Sequence, residues 1–302
     1  MASTLRVKAI EALQAAKPTL VQVFEQAAQW VIENKAATGW GAVAAVFVLL
    51  NLKRFPLVWH ARVFYNIWWP KKRYFEPGPG SVFKPVVTPS RVALLETDYN
   101  LHKSNSTYFS DLDVARTDLL AALRAEAIRG GLYREYKNGV MVLLAGTSCT
   151  FKREIKPGAA FDMHSRVLAW DRKWLYVVTH FVERKKGAEA KIFRPWEKPE
   201  DAPKSPVVYA TAISKCVVKA GRLTVPPEKF LGAAGVLPQP GPGAEGKSGS
   251  DGDPAEGKGD GPTGADPWTW EKVETERERA LKMVEGLASG LDAAHEEFHS
   301  LR

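Results

Sequence analysis

The sequence predicts an α+β domain in which an antiparallel sheet wraps around one long helix, and three observations support this fold class. Residues 106–129 have the apolar spacing of a single helix, four β-rich segments follow it, and the last segment alternates small side chains on one face. A helix followed by an antiparallel meander is an α+β arrangement. The 302 residues allow one or two domains, and 45% hydrophobic with 25% charged residues is typical of globular proteins.

The first part of the chain predicts attachment to a membrane. Residues 1–35 are interpreted as an amphipathic helix, and residues 36–69 as a hydrophobic anchor with an interfacial segment. The 17 residues of 36–52 carry no charge, which is at the short end of what spans a bilayer. Basic residues follow this stretch, so the positive-inside rule places the rest of the chain in the cytosol. An interfacial hairpin and a buried core helix are the alternatives to a true span.

The location of the membrane is a separate expectation. We expect the endoplasmic reticulum, because the anchor lies too far into the chain for a cleaved signal peptide. The mitochondrial outer membrane is the alternative, since Arg6 and Lys8 precede the first acidic residue, Glu11. Four aromatic residues suited to an interfacial belt lie among the basic ones that follow the anchor: Trp59, Tyr65, Trp68 and Trp69.

Composition and periodicity give the other boundaries. Residues 70–90, rich in proline and glycine, are expected to be a linker, and residues 91–231 the folded domain. Its expected elements are a strand at 92–97, the helix at 106–129, and strands at 140–151, 161–171, 174–183 and 207–219. Residues 232–267 hold 11 of the 24 glycines and predict a disordered linker. Residues 268–302 predict an amphipathic helix that needs a partner surface on this domain, a second subunit or another protein.

The charge favours an anionic partner. The chain carries 42 Lys and Arg against 34 Asp and Glu, a formal charge of +8. No nucleic-acid recognition motif accompanies it, so we expect membrane lipid or a phosphate-bearing ligand rather than nucleic acid. The basic segment that begins at Arg184 is a candidate for such contacts. Two cysteines, Cys149 and Cys216, cannot form a disulfide framework or a four-ligand zinc site, and we expect neither a metal nor a bound cofactor.

The turn before the long helix is the candidate site. Polar side chains crowd residues 96–107, and the first N–H groups of a helix have no intrahelical acceptor. These amides and the positive end of the helix dipole favour a developing oxyanion. Asp98 lies across the same turn, placed to act as general base or nucleophile toward a carbonyl held at residues 105–107. This combination predicts an acyl-transfer site.

The same stretch resembles the signature of hotdog-fold acyl-CoA thioesterases of the 4-hydroxybenzoyl-CoA thioesterase type. Ser104 stands where that motif usually has Asn, and Leu101 where it usually has Gly. The amino-acid sequence around Asp98 and the presence of an upstream apolar segment most resemble those of the membrane-associated thioesterase-superfamily proteins of eukaryotes. The positions that match the motif are Glu96, Asp98, His102, Asn105, Tyr108, Ala115 and Arg116.

The resemblance implies hydrolysis of an acyl-CoA thioester, with Asp98 as base or nucleophile and the Asn105 amide polarising the carbonyl. His102 joins this catalytic set, chiefly as a hydrogen-bonded residue of the turn. The implied substrate-binding residues are Ser104, Ser106, Thr107, Tyr108 and Arg116. Packing is the alternative role for Tyr108 and Arg116, and capping of the turn or pairing with Arg116 is the alternative for Asp98.

The sequence leaves two alternatives to a thioesterase and also predicts an oligomeric state. A non-catalytic acyl-CoA-binding or assembly protein is one alternative. A hotdog dehydratase is the other, although the proline of its Asp-x-Asn-Pro-x-His motif is absent here. We also expect a homodimer, because an open antiparallel sheet has an edge to cover.

Overall fold

The computed structural model describes residues 21–70, 78, 80–137, 139–184, 207–238 and 268–300 in two compact units, 1–53 and 54–302. In the first unit, residues 21–33 are helical and helix α1 spans Lys35–Asn51. The stretch Lys35–Arg54 is long and apolar enough to cross a membrane, with a mean hydropathy of 1.4, and it is the one such helix within the described ranges. The first 20 residues of the predicted amphipathic helix lie outside those ranges.

The second unit contains the predicted helix-then-meander order. Helix α2 (Val58–Trp68) precedes strand β1 (Val86–Arg91), and the long helix α3 spans Asn105–Ala127. The remaining elements are β2 (Met141–Phe151), β3 (Ala160–Trp170), β4 (Trp174–Glu183), β5 (Val208–Ala220), β6 (Leu223–Val225), α4 (Pro227–Ala233) and α5 (Trp270–Ser300).

The antiparallel strands form one sheet in the order β1-β3-β4-β5-β2, with β6 paired to β5. The sheet packs against α3, which contacts strands β1, β2, β3 and β4. Small side chains of β5 take part in the same core: Ala210 and Ala212 are buried in one apolar cluster with Leu112 and Ala115 of α3. The hotdog fold predicted from the sequence is therefore confirmed.

The first strand differs from the prediction. The strand expected at 92–97 is wrong: β1 lies at Val86–Arg91, of which all but Arg91 belong to the segment expected to be a linker, and Leu94–Glu96 forms a 3-10 turn. Strand β1 is at the edge of the described sheet and pairs with β3. An edge strand tolerates Pro89 because its missing N–H need not join the ladder.

The folded part also continues beyond the expected start of the second linker at Gly232. Leu231 and Val236 are fully buried, and the Val236 amide donates to the Leu231 carbonyl at 3.3 Å. Gly235 takes a left-handed φ of 68°, which lets the chain turn back after α4. Residues 239–267, where the linker was expected, lie outside the described ranges, as do residues 185–206 of the basic segment.

The C-terminal helix has its partner within this unit. Ala280 and Val284 of α5 are buried against Leu168 and Tyr176, on the face of the sheet opposite α3. Arg277 Nη1 donates to the Trp170 carbonyl at 2.8 Å. Of the three partner surfaces that the sequence left open, the structure selects the core domain.

Helix α2 covers part of α3. Asn66 Nδ2 donates to the Val114 carbonyl at 3.2 Å, and Arg62 Nη1 lies 3.5 Å from Asp111 Oδ1. The long helix therefore lies between the sheet and α2. The other side of α2 and its flanks exposes five large apolar side chains: Leu57, Phe64, Tyr65, Trp68 and Trp69.

Candidate active site

A closed loop places Asp98 immediately before α3. Thr97 and Lys103 form an isolated antiparallel bridge that closes the loop. The Ser104 amide donates to the Glu96 carbonyl at 2.8 Å, and the Lys103 amide donates to the Ile155 carbonyl at 2.9 Å. These bonds fix both ends of the loop at the residue that precedes the helix.

The Asp98 carboxylate is held on both oxygens. Oδ1 accepts the Asn100 amide at 3.0 Å, and Oδ2 lies 3.4 Å from His102 Nδ1. The Asp98 amide in turn donates to the His102 carbonyl at 3.0 Å. The side chain is 21% exposed, so an incoming molecule can reach it. His102 is thus placed to orient Asp98, and its Nε2 lies 3.8 Å from Glu154 Oε1.

Leu101 adopts the backbone conformation that the motif's glycine would take. Its φ is 58°, in the left-handed region, which costs a non-glycine residue about 1 kcal/mol. Its amide donates to the Asp98 carbonyl at 3.1 Å, and its side chain is 75% exposed. The turn therefore keeps the required backbone path without glycine, because the extra side chain points outward.

The start of α3 presents two amides outward. Thr107 donates twice to the Ser104 carbonyl, from its amide at 3.0 Å and from Oγ1 at 2.7 Å, so both of its donors serve the first helical turn. Ser104 Oγ lies 3.1 Å from Ser106 Oγ. Asn105 and Ser106 are exposed, and helix geometry directs their amides out of the helix end. Among residues 105–107, which the sequence predicted to hold a carbonyl, Asn105 and Ser106 are therefore the two whose amides are accessible to a ligand.

Tyr108 and Arg116 have packing contacts, the alternative role that the sequence allowed. Tyr108 is 2% exposed, with its ring centroid 5.0 Å from those of Phe151 and Phe181, and burial raises the pKa of its hydroxyl. Arg116 Nη1 donates to Ser214 Oγ at 3.1 Å, and its Nη2 pairs with Asp113. Arg116 therefore pairs with Asp113 rather than with Asp98.

A buried charge cluster, formed by Arg62, Glu96, Lys103 and Asp111, lies beneath the loop. Lys103 Nζ is 2.9 Å from Asp111 Oδ2 and 3.3 Å from Glu96 Oε2. The Lys103 side chain is 0% exposed and the two carboxylates are 1% exposed. The sequence alone did not predict this cluster, because a lysine in a polar turn is expected to be exposed to solvent.

Other candidate nucleophiles and ligands are poorly placed in the described structure. Burial raises the pKa of both cysteine thiols, Cys149 and Cys216, to about 11, so neither supplies a thiolate at neutral pH. Among the residues described, no group of three or more His, Cys, Asp or Glu side chains is arranged to hold a metal ion. Among the described residues of this loop, Asp98 offers a partly exposed carboxylate.

The curled sheet, the central helix and a carboxylate at its amino end define the hotdog class of acyl-transfer proteins. The chain belongs to the thioesterase-like superfamily, whose sequence pattern matches residues 92–233. It is 38% identical over 292 residues to Thioesterase poxG of Penicillium oxalicum, covering 89% of each chain. It is 34% identical over 300 residues to Thioesterase lcsJ of Purpureocillium lilacinum, covering 82% of this chain and 90% of that protein.

More distant matches cover less than half of this chain. Protein THEM6 of Danio rerio is 25% identical over 123 residues, 40% of this chain and 57% of that protein. The crystal structure of YbaW, a probable thioesterase from Escherichia coli, matches with 14% identity and a TM-score of 0.35, covering 49% of this chain and 94% of that one.

Proposed function

We propose that this protein is a membrane-attached thioesterase that hydrolyses acyl-CoA, with Asp98 as its general base or nucleophile. One observation supports the proposal: the partly exposed carboxylate of Asp98 lies in a closed loop that leads directly into the start of a long helix. Membership of the thioesterase-like superfamily supports the reaction class.

The chemistry requires little beyond these groups. As general base, Asp98 takes a proton from water while the water oxygen attacks the thioester carbonyl carbon. The Asn105 and Ser106 amides stabilise the oxyanion that forms, and each such donor is worth about 3 to 4 kcal/mol of the barrier. The carbon–sulfur bond then breaks and the thiolate takes the proton from Asp98. As nucleophile, Asp98 would instead attack the carbonyl carbon and displace the CoA thiolate as the carbon–sulfur bond breaks; water would then hydrolyse the resulting acyl anhydride and supply the proton that the thiolate takes.

The test is release of free thiol from acyl-CoAs of several chain lengths by wild-type protein and by Asp98→Asn. The amide keeps an oxygen for the Asn100 N–H, so the fold should be retained while kcat falls by about 100-fold or more. Asp171→Asn is the matched control, because Asp171 Oδ1 accepts the Lys173 and Trp174 amides in a turn of the sheet. Asp98→Asn activity equal to that of the control would refute the role of Asp98. No activity of the wild type on any chain length would favour the acyl-CoA-binding alternative.

Membrane attachment is the second part of the proposal. The stretch Lys35–Arg54 has the length and hydropathy of a membrane-spanning helix, and only 6% of its 18-residue apolar part is buried by the rest of the protein. The exposed aromatic side chains of α2 and Trp69 suit a headgroup region, where indole and phenol rings accumulate. The domain would face the cytosol, with the endoplasmic reticulum as the expected membrane. Alkaline carbonate should leave the full chain in the membrane and release a variant with lysine at Val43 and Val46; equal release of both would refute attachment.

Pairing of two copies is the third part. Strand β2 is an edge of the described sheet, and its apolar side chains Met141, Leu143 and Leu144 are 62%, 43% and 44% exposed. An exposed apolar edge strand favours pairing with another strand. A second copy would cover it by forming a sheet that continues across both chains. The mass of the detergent-solubilised protein should be that of a dimer, and a lysine at Leu143 should yield monomers.

A further inference from the structure

Helix α2 contacts the segment that carries the reactive carboxylate through the buried charge cluster. Arg62 Nη1 lies 3.5 Å from Asp111 Oδ1 on α3, and the other oxygen of Asp111 lies 2.9 Å from Lys103 Nζ. Lys103 is the residue that closes the Asp98 loop by its bridge to Thr97. A single chain of ionic contacts therefore runs from α2 to the loop.

The cluster joins separate parts of the fold. Besides its contacts to Lys103 and Arg62, Asp111 accepts a hydrogen bond from Ser90 Oγ of β1 at 3.3 Å. Glu96 Oε2 accepts the Ala93 amide at 3.0 Å, in the turn that leads into the loop. Among the described residues, two carboxylates, Glu96 and Asp111, contact two cations, Lys103 and Arg62, and such pairing is the condition under which buried ions are tolerated.

Within the cluster, Arg62 is the most accessible member. Its side chain is 27% exposed, against 1% or less for the side chains of Lys103, Glu96 and Asp111. Loss of its positive charge would remove one of the contacts that neutralise Asp111 and leave the Lys103 ammonium with a larger share of that neutralisation. The ammonium would then move toward Asp111. Because Lys103 closes the Asp98 loop, the backbone of that loop would shift with it.

We infer that Arg62 and Lys103 are positioning residues: they fix the Asp98 loop and couple its geometry to helix α2, the element that follows the proposed membrane anchor. This inference rests on the proposed function for its catalytic consequence, but its structural part can be measured without activity. Neither residue contacts the Asp98 carboxylate, so their effect passes through the backbone of the loop.

The experiment compares Arg62→Gln with Arg54→Gln in the full chain. Arg54 is a matched control, because its Nη1 also reaches α3, at Ser110 Oγ and 3.5 Å, outside the cluster. Hydrogen exchange should be faster in Arg62→Gln at the amides of residues 98 and 101–104, and unchanged in Arg54→Gln. With acyl-CoA, kcat should fall about tenfold in Arg62→Gln, because a displacement of about 1 Å costs up to about 100-fold. KM should stay within about twofold of the wild type.

Two more variants complete the test. Arg62→Lys keeps the charge and should restore both kcat and the slow exchange. Ser90→Ala removes a weaker donor from the same Asp111 oxygen and should accelerate loop exchange to a smaller extent, so it carries the test if Arg62→Gln does not fold. Wild-type exchange of the loop in Arg62→Gln and Ser90→Ala would overturn the inference. An inactive wild type would refute the proposed function alone, since the exchange results would still decide the coupling.

Discussion

Lys103 offers the sharpest test of how the loop is held, through the substitution Lys103→Met. Methionine has nearly the length of lysine and leaves little cavity, but it removes the cation from the cluster. Glu96 and Asp111, each 1% exposed, would then both lose a counter-ion in the protein interior. The change therefore isolates the electrostatic part of the packing.

The geometry sets the expected size of the effect. At an effective dielectric constant of about 20, the contacts at 2.9 and 3.3 Å are worth about 6 and about 5 kcal/mol before desolvation is subtracted. Removing one partner of a buried ion pair costs about 3 to 5 kcal/mol, because the remaining charge stays desolvated. We expect the free energy of unfolding to fall by that amount, which is a large part of the stability of a typical domain, about 5 to 15 kcal/mol.

Urea unfolding of the full chain in detergent at pH 7, followed by tryptophan fluorescence, measures this difference. Lys156→Met is the control, since Lys156 is exposed in the connection between β2 and β3 and its loss should change stability by less than about 0.5 kcal/mol. The neutral triple variant Glu96→Gln, Lys103→Met, Asp111→Asn should recover at least half of the loss. A cost below about 1 kcal/mol for Lys103→Met alone would refute the reasoning.

Two further predictions concern the sheet. Burial, together with the positive charges of Arg166 and His164, lowers the pKa of His180 to about 4. The unfolded chain therefore binds the extra proton between pH 6.5 and 4, so the stability contributed by His180 is complete above pH 6.5 and is lost as the pH falls. At pH 5 the loss is at most about 2 kcal/mol. His180→Asn should flatten the dependence of unfolding free energy on pH in that window, and an unchanged slope would contradict it. In helix α5, Val284→Asp should undock the helix and accelerate hydrogen exchange over residues 273–284, because a lone buried carboxylate costs several kcal/mol. Met283→Asp, at a neighbouring position 56% exposed, should exchange like the wild type, and equal exchange in both variants would refute the docking.

The long helix and the strands that follow it could be predicted because their signals are local. Residues 105–127 repeat apolar side chains at helical spacing, and the segments of β2 to β5 are rich in β-branched and aromatic residues. Such periodicities depend on the element itself and on which face is buried. The candidate site was predictable for a similar reason, since Asp98 and the start of α3 are separated by a few residues of one turn.

Strand β1 was not predicted because whether its sequence can form a strand depends on where the strand lies in the sheet. Proline at 89 argues against a strand in the middle of a sheet and is tolerated at an edge. Only the tertiary structure assigns Val86–Arg91 to that edge. The partner of α5 was undetermined for a related reason: an apolar helical stripe predicts burial, without identifying the surface that buries it.

The sequence by itself predicted the fold class, the superfamily signature and Asp98 as the candidate reactive residue before the long helix, because all three depend on short-range patterns. The tertiary structure decided what surrounds that residue. Arg62 and Lys103 are 41 positions apart along the chain and meet at the two oxygens of Asp111, a contact that no local spacing predicts. Whether a charged side chain is solvated or buried beside its counter-ions depends on which distant segments fold over it, and that is a property of the whole domain.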